Sequence, residues 1–176
     1  MMWRRIAGLT LLVIGVAAAS IAAENATLAD AAEQRNAALV RTLLAKRADV
    51  NTAQVDGMTA LHWAVYNDDA EMAGLLVRSG ANVNATNLYG VAPLSLASVN
   101  RNAVIVKALL DAGANPNASQ PGGETVLMTA ARAGSVDSVK ALLTRGANPN
   151  ARERRDQTAL MWAAAEGHAA VVQALI

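Results

Sequence analysis

The sequence predicts a mainly α-helical solenoid in which short helix–turn–helix units, joined by hairpin-like loops, stack on one another. The prediction rests on a self-similarity of the chain at a fixed step of 33 residues and on the leucine, alanine, asparagine and glycine that recur at that step. The recurring positions are Leu28, Leu61, Leu94, Leu127 and Leu160; Ala31, Ala64, Ala97, Ala130 and Ala163; Leu43, Leu76, Leu109, Leu142 and Leu175; Asn51, Asn84, Asn117 and Asn150; and Gly80, Gly113 and Gly146. A unit of this length cannot bury its apolar face alone, so neighbouring units must stack to form one continuous core.

The second unit shows most clearly how each repeat begins. Thr59 stands where a helix is expected to start, because its hydroxyl can accept a hydrogen bond from a free backbone N–H of the first turn. His62 follows three residues later and can reach back towards the cap, as in a capping box. Leu61 and Ala64 are three residues apart and therefore share one face of the helix.

A second helix is expected in the same unit from about Ala70 to Arg78. The polar segment 67–69 separates it from the first helix, and its apolar stripe consists of Met72, Leu75 and Leu76. Gly80 follows at the place where a left-handed residue commonly ends a helix. Residues 81–85 then lead out to the next hairpin-like loop.

These motifs resemble the ankyrin repeat. The family signature Thr-Pro-Leu-His-x-Ala stands here as Thr-Ala-Leu-His-Trp-Ala at residues 59–64, with weaker forms at residues 92–97, 125–130 and 158–163. The closing Gly-Ala-Asn-x-Asn motif occupies residues 80–84, 113–117 and 146–150. The resemblance implies a curved ankyrin-repeat solenoid whose structural residues include Thr59, Leu61, His62, Gly80, Gly113, Thr125, Gly146, Thr158 and His168.

The resemblance also sets the expected domain organisation. We expect an ankyrin-repeat domain over residues 24–176, with copies at about 24–53, 54–86, 87–119, 120–152 and 153–176, the last of them incomplete. The first copy has Ala26 in place of the capping threonine and Arg47 in place of the closing glycine, which leaves the geometry of that turn open. Asp156 replaces a hairpin glycine in the fifth copy and leaves that loop open too. The chain reaches Ile176 without a polar cap, so we expect the native protein to continue beyond it.

Residues 1–23 differ in kind from the repeats. Arg4 and Arg5 make a basic start, residues 6–23 carry no charge, and small residues cluster near the end of that stretch. This pattern is typical of a bacterial secretory signal peptide, cleaved here after Ala22 or Ala23. The alternative is an uncleaved inner-membrane anchor, because the uncharged stretch is just long enough to span a bilayer. We therefore expect a periplasmic or secreted protein that has no further membrane contact once the signal is cleaved.

Charge and composition narrow the choice of partner. Removal of residues 1–23 leaves 13 basic against 14 acidic residues, a net charge of −1, which argues against nucleic acid as the partner. The chain has no cysteine, so it contains neither a disulfide nor a thiolate nucleophile. Alanine is abundant and phenylalanine is absent, which suits short helices that pack closely.

The sequence contains no pattern that predicts catalysis. It has neither a nucleophile elbow nor a phosphate-binding loop, and no group of histidines and carboxylates has metal-ligand spacing. The two histidines, His62 and His168, stand at structural positions of the repeat. We expect no enzyme activity, no cofactor, no metal and no small-molecule substrate.

The candidate binding residues are those that vary while the repeat frame stays fixed. In the resembled family, the hairpin tips and the short inner helices form a concave surface that holds proteins. The matching positions here give a predicted partner-binding set of Tyr66, Asn67, Tyr89, Asn100, Arg132, Arg154 and Arg155. These side chains are expected to have no role in the capping or core of the repeats. Trp63 and Trp162 share one repeat position, and we expect both to pack against the core.

The predicted function is a non-catalytic, exported scaffold that binds a protein partner of unknown identity through the concave face and the hairpin tips. Two alternatives remain open. One is an inhibitor or immunity-type protein that masks the active site of an enzyme. The other is a regulatory module of a longer enzyme whose remainder lies beyond Ile176.

Overall fold

The computed structural model describes residues 27–176, and the predicted signal peptide at residues 1–23 lies outside the described residues. Within this part of the chain ten helices follow one another and confirm the mainly α-helical prediction. They are α1 (Leu28–Glu33), α2 (Ala37–Ala45), α3 (Ala60–Tyr66), α4 (Ala70–Arg78), α5 (Pro93–Val99), α6 (Ala103–Asp111), α7 (Val126–Ala133), α8 (Val136–Thr144), α9 (Ala159–Ala165) and α10 (Ala169–Leu175). None of these helices is both long and apolar enough to cross a membrane.

The helices form two layers. The inner layer consists of the odd-numbered helices α1 to α9, each of which packs on the next odd-numbered helix. Each inner helix also packs on the outer helix that follows it in the chain, and the outer helices α4 to α10 pack on one another in order. The loops between repeats are hairpins that hold isolated β-bridges, from Ala53 to Thr59 and from Ser119 to Thr125. The solenoid of helix–turn–helix units with hairpin loops is therefore as predicted.

The recurring leucines and alanines form the core between the layers. Leu61, Leu94 and Leu127 expose 1% or less of their surface, and the recurring alanines from Ala31 to Ala163 are completely buried. An alanine at this position lets the backbones of neighbouring inner helices approach closely. Leu43 and Leu175, in the outer helices of the first and last repeats, are only half-buried, because a neighbouring repeat covers them on one side alone.

The N-terminal caps follow the sequence pattern in the second, fourth and fifth repeats. Thr59, Thr125 and Thr158 are the N-caps of α3, α7 and α9, and each threonine hydroxyl accepts a backbone N–H from the first turn. The first helix of the first repeat has an N-cap that the aligned position does not predict. Thr27, one residue later in the repeat, caps α1 and forms a capping box with Asp30. The threonine missing at position 26 is therefore replaced by its neighbour.

Two turns that the sequence left open keep the geometry of the other repeats. Arg47 has a φ of 62°, so it adopts the same left-handed conformation as Gly80 at the same repeat position. Asp156 has a φ of 61° and matches Gly57 in the second hairpin. A non-glycine residue in this conformation costs about 1–2 kcal/mol. The packing of the neighbouring helices thus determines these turns, even against the local preference of the residue.

A ladder of asparagine side chains joins successive repeats along the closing loops. The side-chain oxygen of Asn84 accepts the backbone N–H of Asn115 at 2.8 Å, and its Nδ2 donates to the carbonyl of Gly113 at 3.0 Å. Asn51 and Asn117 make the same pair of contacts to the repeats that follow them. The recurring asparagine in the sequence therefore has a structural cause, which is the satisfaction of loop backbone groups in the next repeat.

Candidate partner-binding surface

The hairpin tips of the second and third repeats carry exposed apolar side chains. Val55 is 99% exposed, Leu88 is 76% exposed and Tyr89 is 72% exposed. The two tips are joined by a hydrogen bond from the backbone N–H of Leu88 to the carbonyl of Asp56, at 2.9 Å. Backbone pairing thus fixes the position of these side chains while leaving them in solvent, as a contact surface requires.

A second set of exposed residues lies at the ends of the inner helices. Tyr66, Val99 and Arg132 occupy the same repeat position, and Tyr66 and Val99 are 59% and 54% exposed. The ring of Tyr66 stands edge-on to Trp63, with 5.6 Å between the ring centroids. We call the hairpin tips and the inner-helix ends together the inner face. The predicted residues Tyr66 and Tyr89 both lie on it with their side chains accessible.

Asn67 and Asn100 lie on the inner face, but the expectation that the frame does not need them is wrong. The Nδ2 of Asn67 donates to the carbonyl of Ala32 at 3.2 Å. The Nδ2 of Asn100 donates to the carbonyl of Val65 at 2.8 Å. Each amide adds a hydrogen bond to a carbonyl in the last turn of the preceding inner helix, and that carbonyl also accepts a backbone N–H of its own turn. These two residues therefore link one repeat to the next.

Arg132 also has a structural role that the sequence did not reveal. Its guanidinium lies 3.1 Å from Glu124 of the same repeat, and its Cζ lies 4.6 Å from the centroid of the Trp162 ring in the next repeat. The hydroxyl of Thr129 donates to Glu124 at 3.0 Å and holds that carboxylate in place. Arg132 is therefore held on the inner face by contacts from two repeats.

Trp63 and Trp162 stand at equivalent positions but differ in their surroundings. Trp63 is half-buried against the core, and its Nε1 donates to the side-chain oxygen of Gln54 at 2.7 Å. Gln54 in turn donates to Asp30 and Glu33 at 2.8 Å each, and its hydrogen bond lowers the pKa of Asp30. Trp162 is half-buried too, yet its Nε1 is shielded from solvent without a hydrogen-bond partner in the described chain.

Arg154 and Arg155 lie on the hairpin tip of the fifth repeat, as expected. The backbone N–H of Arg154 donates to Gly122 in the preceding tip at 3.1 Å, and its guanidinium donates to the carbonyl of Pro121 at 3.2 Å. Among residues 27–176, neither arginine has a carboxylate within ion-pair distance. Both side chains line a groove between the last two tips, which also holds Glu124 and Glu153.

The two histidines occupy structural sites, as predicted. Nδ1 of the buried His62 accepts the backbone N–H of Thr59 at 3.2 Å, and Nε2 lies 3.1 Å from the carbonyl of Val91 in the next hairpin. A carbonyl only accepts, so Nε2 carries the proton and the ring is neutral. Burial lowers the pKa of His62. Nε2 of His168 lies 2.9 Å from the carbonyl of Arg132 and ties the last helix pair to the fourth repeat.

Leu88 is a surface residue that the sequence reasoning missed. It shares its repeat position with Val55, Pro121 and Arg154, so apolar side chains recur there at a hairpin tip that core packing does not reach. The recurrence of apolar residues at this exposed position could have identified Leu88 from the sequence. In the described part of the chain, no group of three or more metal-ligating side chains lies together.

The family comparison agrees with this geometry. The family described as ankyrin repeats (3 copies) matches residues 28–120 and again residues 94–176, and together these matches cover all five helix pairs. No curated protein matches the chain in sequence comparison. Ankyrin repeats are protein–protein interaction modules and are typically non-catalytic. With five helix pairs in register, hairpin tips between them and an asparagine ladder along the closing loops of the first four repeats, the chain belongs to the ankyrin-repeat family.

Proposed function

We propose that this protein is an exported scaffold that holds a protein partner on its inner face. The observation that carries the proposal is the concentration of exposed apolar and aromatic side chains there, namely Val55, Tyr66, Leu88 and Tyr89. Exposed apolar side chains that lie close together on a stable frame are typical of interaction sites. Tyrosine is over-represented among the residues that dominate binding energy, because it combines a large contact area with a polar end.

Export is supported by the first 23 residues alone. Arg4 and Arg5 precede an uncharged stretch that ends in small residues, which is the pattern of a secretory signal. The partner is then a protein of the periplasm or of the cell exterior. The absence of cysteine from the chain is compatible with that compartment.

The experiment places a photo-crosslinking amino acid at Val99, which lies on the inner face beside the position of Tyr66. In the native cells, the partner should form a covalent adduct with this residue. Changing Tyr66 and Tyr89 together to alanine should weaken partner binding by about 2 kcal/mol or more and remove most of the adduct. The same pair should change the free energy of unfolding by only about 1 kcal/mol, because both side chains are exposed.

The control uses the outer helices. Lys107 and Lys140 are exposed on α6 and α8, and their replacement by alanine should leave the Val99 adduct unchanged. A crosslinker placed at Lys107 should give no adduct with the same partner. Adducts from Lys107 but not from Val99 would assign partner binding to the outer face and refute the proposal.

A further inference from the structure

The indole N–H of Trp162 lacks the hydrogen bond that its counterpart in the second repeat makes. Trp63 donates its Nε1 to Gln54 at 2.7 Å, whereas the Nε1 of Trp162 is shielded from solvent and has no partner in the described chain. Buried polar groups in proteins are almost always hydrogen-bonded. The unpaired indole donor of Trp162 therefore points to an acceptor supplied from outside the described residues.

No side chain of the fifth repeat accepts a hydrogen bond from this donor. Glu153 stands at the repeat position of Gln54, but its Oε1 accepts the backbone N–H groups of Arg155 at 2.9 Å and Gln157 at 3.3 Å. The carboxylate is thus turned towards its own hairpin tip. Trp162 lines a groove that lies between the fourth and fifth hairpin tips, while its Nε1 is shielded from solvent.

The groove holds two carboxylates, Glu124 and Glu153, each bound through one oxygen, and two arginines. The carboxylate of Glu124 is bound to Arg132 at 3.1 Å and to a threonine hydroxyl at 3.0 Å. Arg154 and Arg155 line the same groove and have no ion-pair partner among residues 27–176. A ligand that carries acceptor oxygens and a negative charge suits these two unpaired arginines.

We propose that the groove lined by Trp162, Arg154 and Arg155 binds an acidic side chain on an exposed segment of the protein partner. A carboxylate has two acceptor oxygens, so it can take the indole N–H on one and a guanidinium N–H on the other. Arg154, Arg155 and Gln157 are exposed side chains at the rim, and the proposal requires that they move to admit the carboxylate to the shielded donor. The inference rests on the proposed protein-binding function and adds the chemistry of the residue that is recognised.

The test uses random linear peptides of about twelve residues, displayed on phage and selected on the immobilised full-length protein. Enriched peptides should share an aspartate or glutamate, and their Kd is measured by fluorescence anisotropy. Replacing that acidic residue by its amide should raise the Kd about tenfold or more, as for a charge-assisted hydrogen bond. Arg154→Gln with Arg155→Gln should raise it by a similar factor, and the peptide change should have little further effect on this variant. Trp162→Phe, which removes the N–H and keeps a ring under Arg132, should raise the Kd at least about threefold.

The matched controls lie elsewhere on the repeats. Trp63→Phe removes an indole whose N–H is already bound, and Arg78→Gln with Lys107→Gln removes two positive charges from the outer helices. Both variants should bind the selected peptides with a Kd within about twofold of the parent protein. Urea unfolding of each variant ensures that folded protein is compared.

Two outcomes would overturn the inference. Enriched peptides without an acidic residue would do so, as would a failure to enrich any peptide whose binding depends on Arg154 and Arg155. If enriched peptides that lack an acidic residue lose binding when Tyr66 and Tyr89 are both changed to alanine, the proposed function stands and only the acidic-residue inference fails. If no selected peptide depends on any inner-face residue, both fail.

Discussion

The guanidinium of Arg132 lies over the indole of Trp162, with Cζ 4.6 Å from the ring centroid, and so joins the inner helices of the fourth and fifth repeats. The same guanidinium is paired with Glu124 at 3.1 Å. A residue that the sequence marks as free for a partner therefore also holds two repeats together. Replacement of Arg132 should therefore change stability as well as any contact that it makes with a partner.

Arg132→Gln should lower the free energy of unfolding by about 1 kcal/mol. The stacking over Trp162 contributes about 0.5–1 kcal/mol at a site of this exposure, and the ion pair with Glu124 adds a few tenths because solvent screens it. Urea unfolding followed by circular dichroism measures the loss. Arg78→Gln, an exposed arginine on α4 outside the ion pairs of the described chain, is the control and should stay within about 0.5 kcal/mol of the parent. Equal losses of unfolding free energy in both variants would mean that the stacking of Arg132 over Trp162 contributes nothing to stability.

Asn84→Ala should lower the free energy of unfolding by about 1–2 kcal/mol. The change removes two hydrogen bonds between repeats, to Asn115 at 2.8 Å and to Gly113 at 3.0 Å, and each contributes roughly 0.5–1.5 kcal/mol net. Thr86→Ala is the control, since Thr86 is an exposed polar residue two positions further along the same loop and is not a rung of the ladder. Thermal and urea unfolding compare the two variants. If Asn84→Ala proved as stable as Thr86→Ala, the ladder would be a geometric regularity without energetic weight.

Stability should fall as the pH is lowered from about 7.5 to 5.5, because burial lowers the pKa of His62. Below its ordinary value of 6.5 the unfolded chain takes up a proton that the folded chain resists, so the unfolded state is favoured. The loss continues until the pH reaches the lower folded pKa, and its slope cannot exceed about 1.4 kcal/mol per pH unit for one proton.

The measurement is the urea midpoint at a series of pH values. His62→Gln should abolish most of the slope in this window, whatever its effect on stability at pH 7.5. His168→Gln removes the other histidine and should leave the slope in place. A slope that persists in His62→Gln and vanishes in His168→Gln would reverse the assignment.

The N-terminal segment should be removed during export. Mass spectrometry of the protein purified from its native envelope should show a new N-terminus between about Ser20 and Glu24, because small residues that suit signal peptidase cluster there. Replacement of Arg4 and Arg5 by glutamate should slow export and leave precursor in the cell. Recovery of intact Met1 from the membrane fraction of the parent strain would favour the anchored form instead.

Rules that depend only on residues close in sequence were sufficient to predict the helices and caps of the repeats. The helix of residues 70–78 has the bounds that the polar break and the closing glycine predict, and Thr59 with His62 forms the expected capping box. These features depend on residues within one turn of helix of each other, so a short stretch of sequence contains all the partners. The same locality explains the first repeat, where Thr27 caps α1 one residue later than the alignment suggests.

The candidate binding surface could be predicted only in part. Tyr66 and Tyr89 were correctly expected on an exposed face, because variation within a fixed repeat marks side chains that the frame does not use. Asn67, Asn100 and Arg132 also stand at positions that vary between repeats. Their side chains, however, contact carbonyl groups, a carboxylate and an indole, and several of these groups belong to a neighbouring repeat. No spacing rule identifies such contacts, because they join residues about one period apart.

The sequence alone was enough to specify the fold class, the period, the helix bounds and the core rows such as Leu61 and Ala64, because apolar periodicity and capping depend on nearby residues and the pattern repeats along the chain. The stacking of the repeats, in contrast, determined which variable side chains are free and which are bound. Stacking also holds Arg47 and Asp156 in a glycine-like turn. The cause is the same in each case, since the interfaces between repeats form across 33 residues of chain and their packing outweighs the preference of any single residue.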